Sequence, residues 1–323
     1  MRAVTLTSPG RFEVQDRPLP PLADGWVRVR IAAAGVCSSD VPRAHGGAYF
    51  HPLVLGHELA GTAGDRRVVV FPLLPCFACS SCDASEYARC RDYDYFGSRR
   101  DGGFAEILDV PEWNLMDVPD GVSLADAALC EPTAVVMHAL ERLGPGDVAI
   151  VGSGFLGLLA TAMLTFLGRT VTVLGRHEAK LERARSFGAT AVRADDAWLD
   201  AHEAAFPAVL QAAGSATSFR QSLRLAAPGA SVVWMGNAEE EVALPAGLVS
   251  QVLRKELTVA GTWNSRWPHD WAEALQAMQR GLKPSTFVTE EVDLDGVGAL
   301  IGAYQARKAA GASTASIKGL VRP

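Results

Sequence analysis

The chain has 323 residues, 49% hydrophobic and 20% charged, the balance of a soluble globular protein long enough for two domains that each bury a core. Lys and Arg number 30 against 36 Asp and Glu, a formal charge of −6, so no basic surplus exists to meet a nucleic acid or an anionic membrane. The opening MRAVTLTSPG has no apolar run of the secretory kind, and the expected compartment is the cytoplasm, where thiols stay reduced.

The first 130 residues read as an irregular β domain, with short alternating strands (VRVRI, RRVVVF, FAEIL) among many prolines and glycines. WVRVRIAAAG runs into GVCSSD, which carries Cys37 and Ser39. LVLGHELAG carries His57 and Glu58, and ALCEPTAVVMHAL carries Glu131. One thiolate, one imidazole and one or two carboxylates form the mixed donor set of an open catalytic zinc. Singly these signals are weak, because a lone cysteine is usually a small buried hydrophobe, a role that suits Cys130.

PCFACSSCDASEYARC spaces four thiols as Cys76-x2-Cys79-x2-Cys82-x7-Cys90. In a reducing compartment such a cluster binds metal, and four thiolates suit tetrahedral zinc, with an iron–sulfur cluster as the rival. A four-thiolate zinc site is closed to substrate, so it serves folding and the chemistry lies elsewhere. In the GSRRDGG that follows, Arg99 and Arg100 are either a solvated turn or cations for a phosphorylated substrate.

Residues 148–168 carry no charge, long enough to suggest a membrane helix. Glycines in the first half favour a buried strand, a turn and a buried helix. VAIV enters Gly152-x-Gly154-Phe155-Leu156-Gly157, an apolar helix follows, and TVTVLG supplies a second strand within one βαβ length. That context makes a dinucleotide fingerprint: a tight turn, close approach to a pyrophosphate, and a helix N-terminus facing the phosphates. NAD sites usually end the second strand on an acid, whereas here Gly175 stands in that place, with Arg176, His177 and Lys180 after it. Loss of the carboxylate removes repulsion of a 2′-phosphate that Arg176 can grip, so NADP(H) is expected over NAD(H), Glu178 serving its own helix instead. Further strands at PAVLQAAG, ASVVWMG and LTVAGTW alternate with helical or turn stretches, as in a doubly wound parallel sheet. The tail reads as a helix HDWAEALQAMQRG, the run FVTEEVDLDG, another helix and a last strand near SIKGLVRP.

Taken in order, GVCSSD, GHELAG, the four-cysteine lobe, YDYFGSRRDGGFAE, CEPTAVVMHA, VGSGFLG and LRKELTVAGTW resemble the zinc-dependent medium-chain alcohol dehydrogenases over nearly the whole chain. Within them the chain is most similar to the polyol branch, the sorbitol and galactitol-1-phosphate dehydrogenases. The resemblance implies an α/β protein with a GroES-like catalytic domain over 1–133, a Rossmann domain over 134–268 and a return segment, 269–323, completing the catalytic domain, with the active site in the cleft. It implies a catalytic zinc on Cys37, His57 and Glu58 besides the structural one. Glu131 then binds zinc or holds its water, although a cysteine serves near that place in other branches and Cys130 is adjacent. Ser39 matches the hydroxyl of a proton relay, and Phe96 lies in a segment that approaches substrate. Trp263, Asn264, Arg266 and Trp267 either wall the site or pack an interface. The expected reaction is hydride transfer between a nicotinamide and a secondary alcohol of a polyol, sugar, sugar phosphate or cyclitol, in a homodimer or homotetramer. Two departures stand out. Only TAGDRR separates GHELAG from VVVF, and Pro42 and Arg43 occupy the place of the relay's terminal histidine, leaving His45 and His51 as substitutes. An NAD-linked polyol dehydrogenase, a zinc-free enone or quinone reductase, and a zinc-bearing protein without turnover are the alternatives.

Overall fold

The computed structural model describes residues 1–238, 240–310 and 315–323. The chain forms two compact units. One holds Met1–Ala134, the segment from Ser265 and the C-terminal strand; the other holds Val135–Asn264.

The first unit is built around the 11-residue strand Trp26–Val36, whose VRVRI alternation gives way to small residues that are buried. It centres a seven-stranded sheet in the order Leu115–Asp117, Arg66–Val70, Glu58–Ala63, Trp26–Val36, Lys318–Val321, Val288–Val292, with Ile107–Pro111 paired to the first half of Trp26–Val36. Only the Val288–Val292 and Lys318–Val321 pair is parallel. The C-terminal strand therefore lies inside this sheet, directly beside the strand that leads to Cys37. Arg11–Asp16, Arg2–Ser8 and Leu53–Val54 make a smaller antiparallel sheet. Leu6, Leu55, Leu59, Phe96 and Phe104 fill one core. A second gathers Phe71, Trp267 and Trp271, with Phe71 stacked on Trp267 at 4.8 Å. The short TAGDRR segment closes as a hairpin, with Ala63 opposite Arg66 and a Gly64-Asp65 turn between. Gly64 takes the positive φ (59°) that such a two-residue turn requires.

The second unit is a six-stranded, wholly parallel sheet in the order Thr190–Val192, Val171–Leu174, Val148–Val151, Phe206–Gln211, Ala226–Trp234, Thr258–Gly261. In chain order this is 3-2-1-4-5-6, the Rossmann arrangement. VAIV is buried along its whole length, as a strand covered on both faces must be. The uncharged run 148–168 divides into that strand, the glycine turn and the 12-residue helix Phe155–Phe166; among the described residues no helix is long and apolar enough to cross a membrane. Ala226–Trp234 begins four residues before the ASVVWMG run, because Ala226 still pairs with Phe206 before an irregularity shifts the register. Such sheets bind ligand where the strand order reverses, here beyond the ends of Val148–Val151 and Phe206–Gln211.

Candidate active site and metal centres

The strand Trp26–Val36 delivers Cys37 at its end, and the backbone N–H of Cys37 donates to Asp40 Oδ2 at 2.9 Å. His57 and Glu58 enter on the neighbouring strand. One donor atom each from Cys37, His57 and Glu58 lies within 4.8 Å of the others, so the structure brings these three expected ligands together. Asp40 is wholly buried, and its Oδ1 stands 3.6 Å from His57 Nδ1. A carboxylate behind a ligating imidazole fixes its tautomer and orientation. Burial pulls the His57 pKa down, but Asp40, the Cys37 thiol and Glu131 outweigh it and hold the imidazole at about 10.

Glu131 sits in the first turn of the helix Cys130–Leu140 and accepts from the Tyr95 hydroxyl at 3.4 Å. Burial pushes its carboxyl up to about 7, against the pull of His57. Tyr95 packs edge-on to His57 at 5.7 Å. Cys130 faces the other way: its thiol reaches the carbonyl of Trp271 (3.7 Å) within the core, in the role of a buried hydrophobe.

Glu58 has a partner that sequence reasoning did not find. Lys318 Nζ donates to Glu58 Oε1 at 2.6 Å, and both side chains are buried. Gly35 lies directly across the ladder from Glu58, and a Cβ there would fall 1.9 Å from Glu58 Oε2. That oxygen has no hydrogen-bond partner. A buried carboxylate oxygen left unmatched by protein groups, grouped with a thiol and an imidazole, fits a zinc ion. Ser39 is half-buried beside Cys37, whereas His45 and His51 are both exposed. Asp40 was missed as well, although GVCSSD shows the acid three residues after Cys37. Lys318 carried no local signal, since only the sheet order brings it to Glu58.

The four lobe thiols converge. Cys79 Sγ lies 3.6 Å from Cys82 and 3.9 Å from Cys90, and Cys76 lies 3.9 Å from Cys82. No disulfide forms. Backbone N–H groups of Cys82 and Arg91 pull the Cys79 thiol down to about 6, so it ionises readily, while burial pushes Cys82 up to about 12. The donor set fits a closed zinc site.

In the parallel sheet, Gly152 takes φ 122°, and a Cβ on Gly157 would meet the Gly152 carbonyl oxygen at 2.0 Å, so the turn and the helix packing both depend on glycine. A Cβ on Gly154 would meet nothing, leaving a face open to a phosphate, with Phe155 and Leu156 opening the helix beyond. Gly175 is hemmed in instead: a Cβ would fall 2.3 Å from Ser153 Oγ. Burial lowers the His177 pKa, and Lys180, Arg176 and Arg193 lower it further. Arg193, one residue past Thr190–Val192, joins the basic group from the adjacent strand; it lacked any motif in the sequence. Glu178 pairs with Arg185 at 2.6 Å. Phe96 is buried in the core, Arg100 pairs with Asp94, and Arg99 is exposed.

A GroES-like β unit carrying a zinc-type donor set, joined to a Rossmann sheet, defines a zinc-dependent, nicotinamide-linked oxidoreductase acting on CH–OH groups. Residues 23–120 match the alcohol dehydrogenase GroES-like domain and residues 156–280 the zinc-binding dehydrogenase family, and the chain belongs to these zinc-binding alcohol dehydrogenases. It is 34% identical over 304 residues to galactitol 1-phosphate 5-dehydrogenase of Escherichia coli K12, covering 85% of this chain and 87% of that one. The crystal structure of galactitol-1-phosphate dehydrogenase from Escherichia coli superposes with a TM-score of 0.91 at 30% identity over 100% of both chains. A protein of Sinorhizobium meliloti 1021 assigned to the zinc-binding dehydrogenases and bound to NADP gives 0.89 at 28% identity, covering 100% of this chain and 99% of that one.

Proposed function

We propose that the protein is an NADP(H)-preferring polyol dehydrogenase that moves a hydride between the nicotinamide and a secondary alcohol of a polyol or sugar alcohol. The observation that carries this reading is the convergence of Cys37, His57 and Glu58 with Glu131 beside them. Cys37, His57, Glu58 and Glu131 would hold one zinc, and Cys76, Cys79, Cys82 and Cys90 a second. A zinc and a nicotinamide bound here would supply a Lewis acid that makes an alcohol more acidic and an acceptor for its hydride.

The chain's own groups do the rest. Asp40 orients His57, and Lys318 offsets the charge of Glu58. Tyr95 fixes the Glu131 carboxylate by donating to it. The Ser39 hydroxyl, two residues from Cys37 and partly open, takes the substrate proton and passes it outward; with Pro42 where the relay histidine would stand, that path ends in solvent. Arg176, Lys180 and Arg193 gather around His177 and present positive charge at the strand ends where a 2′-phosphate would sit. A zinc-free reductase would leave Glu58 buried with an unmatched oxygen, which disfavours that alternative. The free thiols suit the cytoplasm, and the protein is assigned there as a homo-oligomer.

Zinc per chain and the ratio of kcat/KM with NADP to that with NAD, measured on a polyol panel, test the reading. About two zincs, lost stepwise through Cys79→Ser and Cys37→Ser, and a ratio above one are expected. A wild type that holds about one zinc per chain, unchanged by Cys37→Ser, removes the catalytic centre, and a ratio below one removes the role of Arg176.

A further inference from the structure

Next to the metal-type cluster stands a run of tyrosines that ends on a cation. Tyr95 packs against His57 at 5.7 Å, Tyr93 against Tyr95 at 6.3 Å, and the Arg99 guanidinium lies over Tyr93 at 4.2 Å and over Tyr49 at 5.3 Å. Arg99 Nη1 also donates to the Tyr93 carbonyl at 2.9 Å, so the side chain is held in place rather than free in water. Both arginines of GSRRDGG border a groove that carries Asp94, Asp101 and Asp109. Each of those carboxylates has its own partner: Asp94 has Arg100 at 3.4 Å, Asp101 has Arg17 at 2.7 Å, and Asp109 has Arg28 at 2.9 Å. Arg99 is the surplus charge, with no acidic partner among the described residues.

We propose, resting on the polyol dehydrogenase reading, that the substrate is a polyol monophosphate whose phosphate is bound by Arg99, with the carbon chain laid along Tyr95 and Tyr93. A fixed, unpaired guanidinium suits a phosphate because it offers several donors in one plane, and tyrosine rings suit a chain of hydroxymethine carbons by offering an apolar face and a polar edge. Arg100, neutralised by Asp94, has no part in this. The cofactor also carries phosphates, and an unpaired arginine could serve one of them, so the test separates the two sources.

Galactitol 1-phosphate and galactitol are the probes, with zinc-loaded protein, for turnover and for calorimetric binding. The wild type should favour the ester, and Arg99→Gln should cut kcat/KM for the ester by about tenfold to a hundredfold, the loss of a charge-assisted contact, while leaving galactitol and the cofactor KM unchanged. Arg99→Lys should recover part of the loss, and Arg100→Gln should behave as wild type. Equal use of ester and free polyol by the wild type overturns the phosphate assignment and leaves the dehydrogenase reading standing. A rise in cofactor KM alone reassigns Arg99 to the cofactor and overturns it too. Neither turnover nor binding of either probe removes this inference, and failure across the whole polyol panel removes the polyol reading with it.

Discussion

Glu58 shows how a single carboxylate is fixed by residues far apart in sequence. Its strand places it opposite Gly35, and Lys318 stands two residues before Leu320, the partner of Gly35 on the other side. Residues two apart on a strand share a face, so Lys318 reaches Glu58 over a middle strand that has no side chain at Gly35. Removing one partner of a buried ion pair leaves an uncompensated charge. Lys318→Met should therefore destabilise the zinc-stripped protein by about 3–5 kcal/mol. The denaturant midpoint measures this, and Glu58→Gln added to Lys318→Met should recover most of the loss, because no buried charge then remains. With zinc present the penalty should shrink, since the ion's charge takes the place of the ammonium. A Lys318→Met protein as stable as wild type without zinc would show that the pair is not buried as described.

At the scale of elements, the end of Val171–Leu174 and the glycine turn constrain each other. Ser153 fills the space a side chain at Gly175 would need, with Leu181 Cδ2 also 2.9 Å from the Cβ position. The basic group that follows is thus set by packing as well as by charge. Gly175→Asp alone should lower Tm without producing NAD preference. Gly175→Asp with Ser153→Gly and Arg176→Ser should fold and reverse the kcat/KM ratio, since the carboxylate then has room and the 2′-phosphate loses its partner. A single Gly175→Asp that switches cofactor at full stability contradicts the crowding argument. The same elements show what the sequence could reveal. The strand–GxGxxG–helix unit, the alternating strands and the tight cysteine spacing are local patterns, each legible within about thirty residues. Cys37, His57, Glu58 and Glu131 were legible as candidates through their donor types. Their partners were not: Lys318 meets Glu58 through sheet order, Arg193 meets Arg176 through strand adjacency, and Tyr95 meets Glu131 across a loop. Helix Ala246–Arg254 also went unnoticed, lying between two strand-like runs.

At the scale of the molecule, the parallel sheet ends in an open edge. Thr258–Gly261 pairs on one side with Ala226–Trp234, and among the described residues no strand covers its other side. The helix before it has no buried residue and exposes Leu253 (73%), while Trp263 just beyond is 63% exposed. An uncharged edge strand flanked by exposed apolar groups is a template for pairing, and a second copy related by a twofold axis would close it. The direction of the backbone donors makes this testable without disturbing the fold. Thr262 N–H donates inward to the Trp234 carbonyl, and N–H groups alternate along a strand, so that of Val259 points outward. Val259→Pro then removes an outward donor while sparing the inner ladder, the one setting in which a sheet tolerates proline. By sedimentation velocity the wild type should run as a dimer or a multiple of it. Val259→Pro should run as a monomer that keeps both zincs and its far-ultraviolet dichroism. A wild type that sediments as a monomer, or a Val259→Pro variant that keeps the dimer, places assembly elsewhere on the surface and leaves this edge to be guarded by its shortness alone.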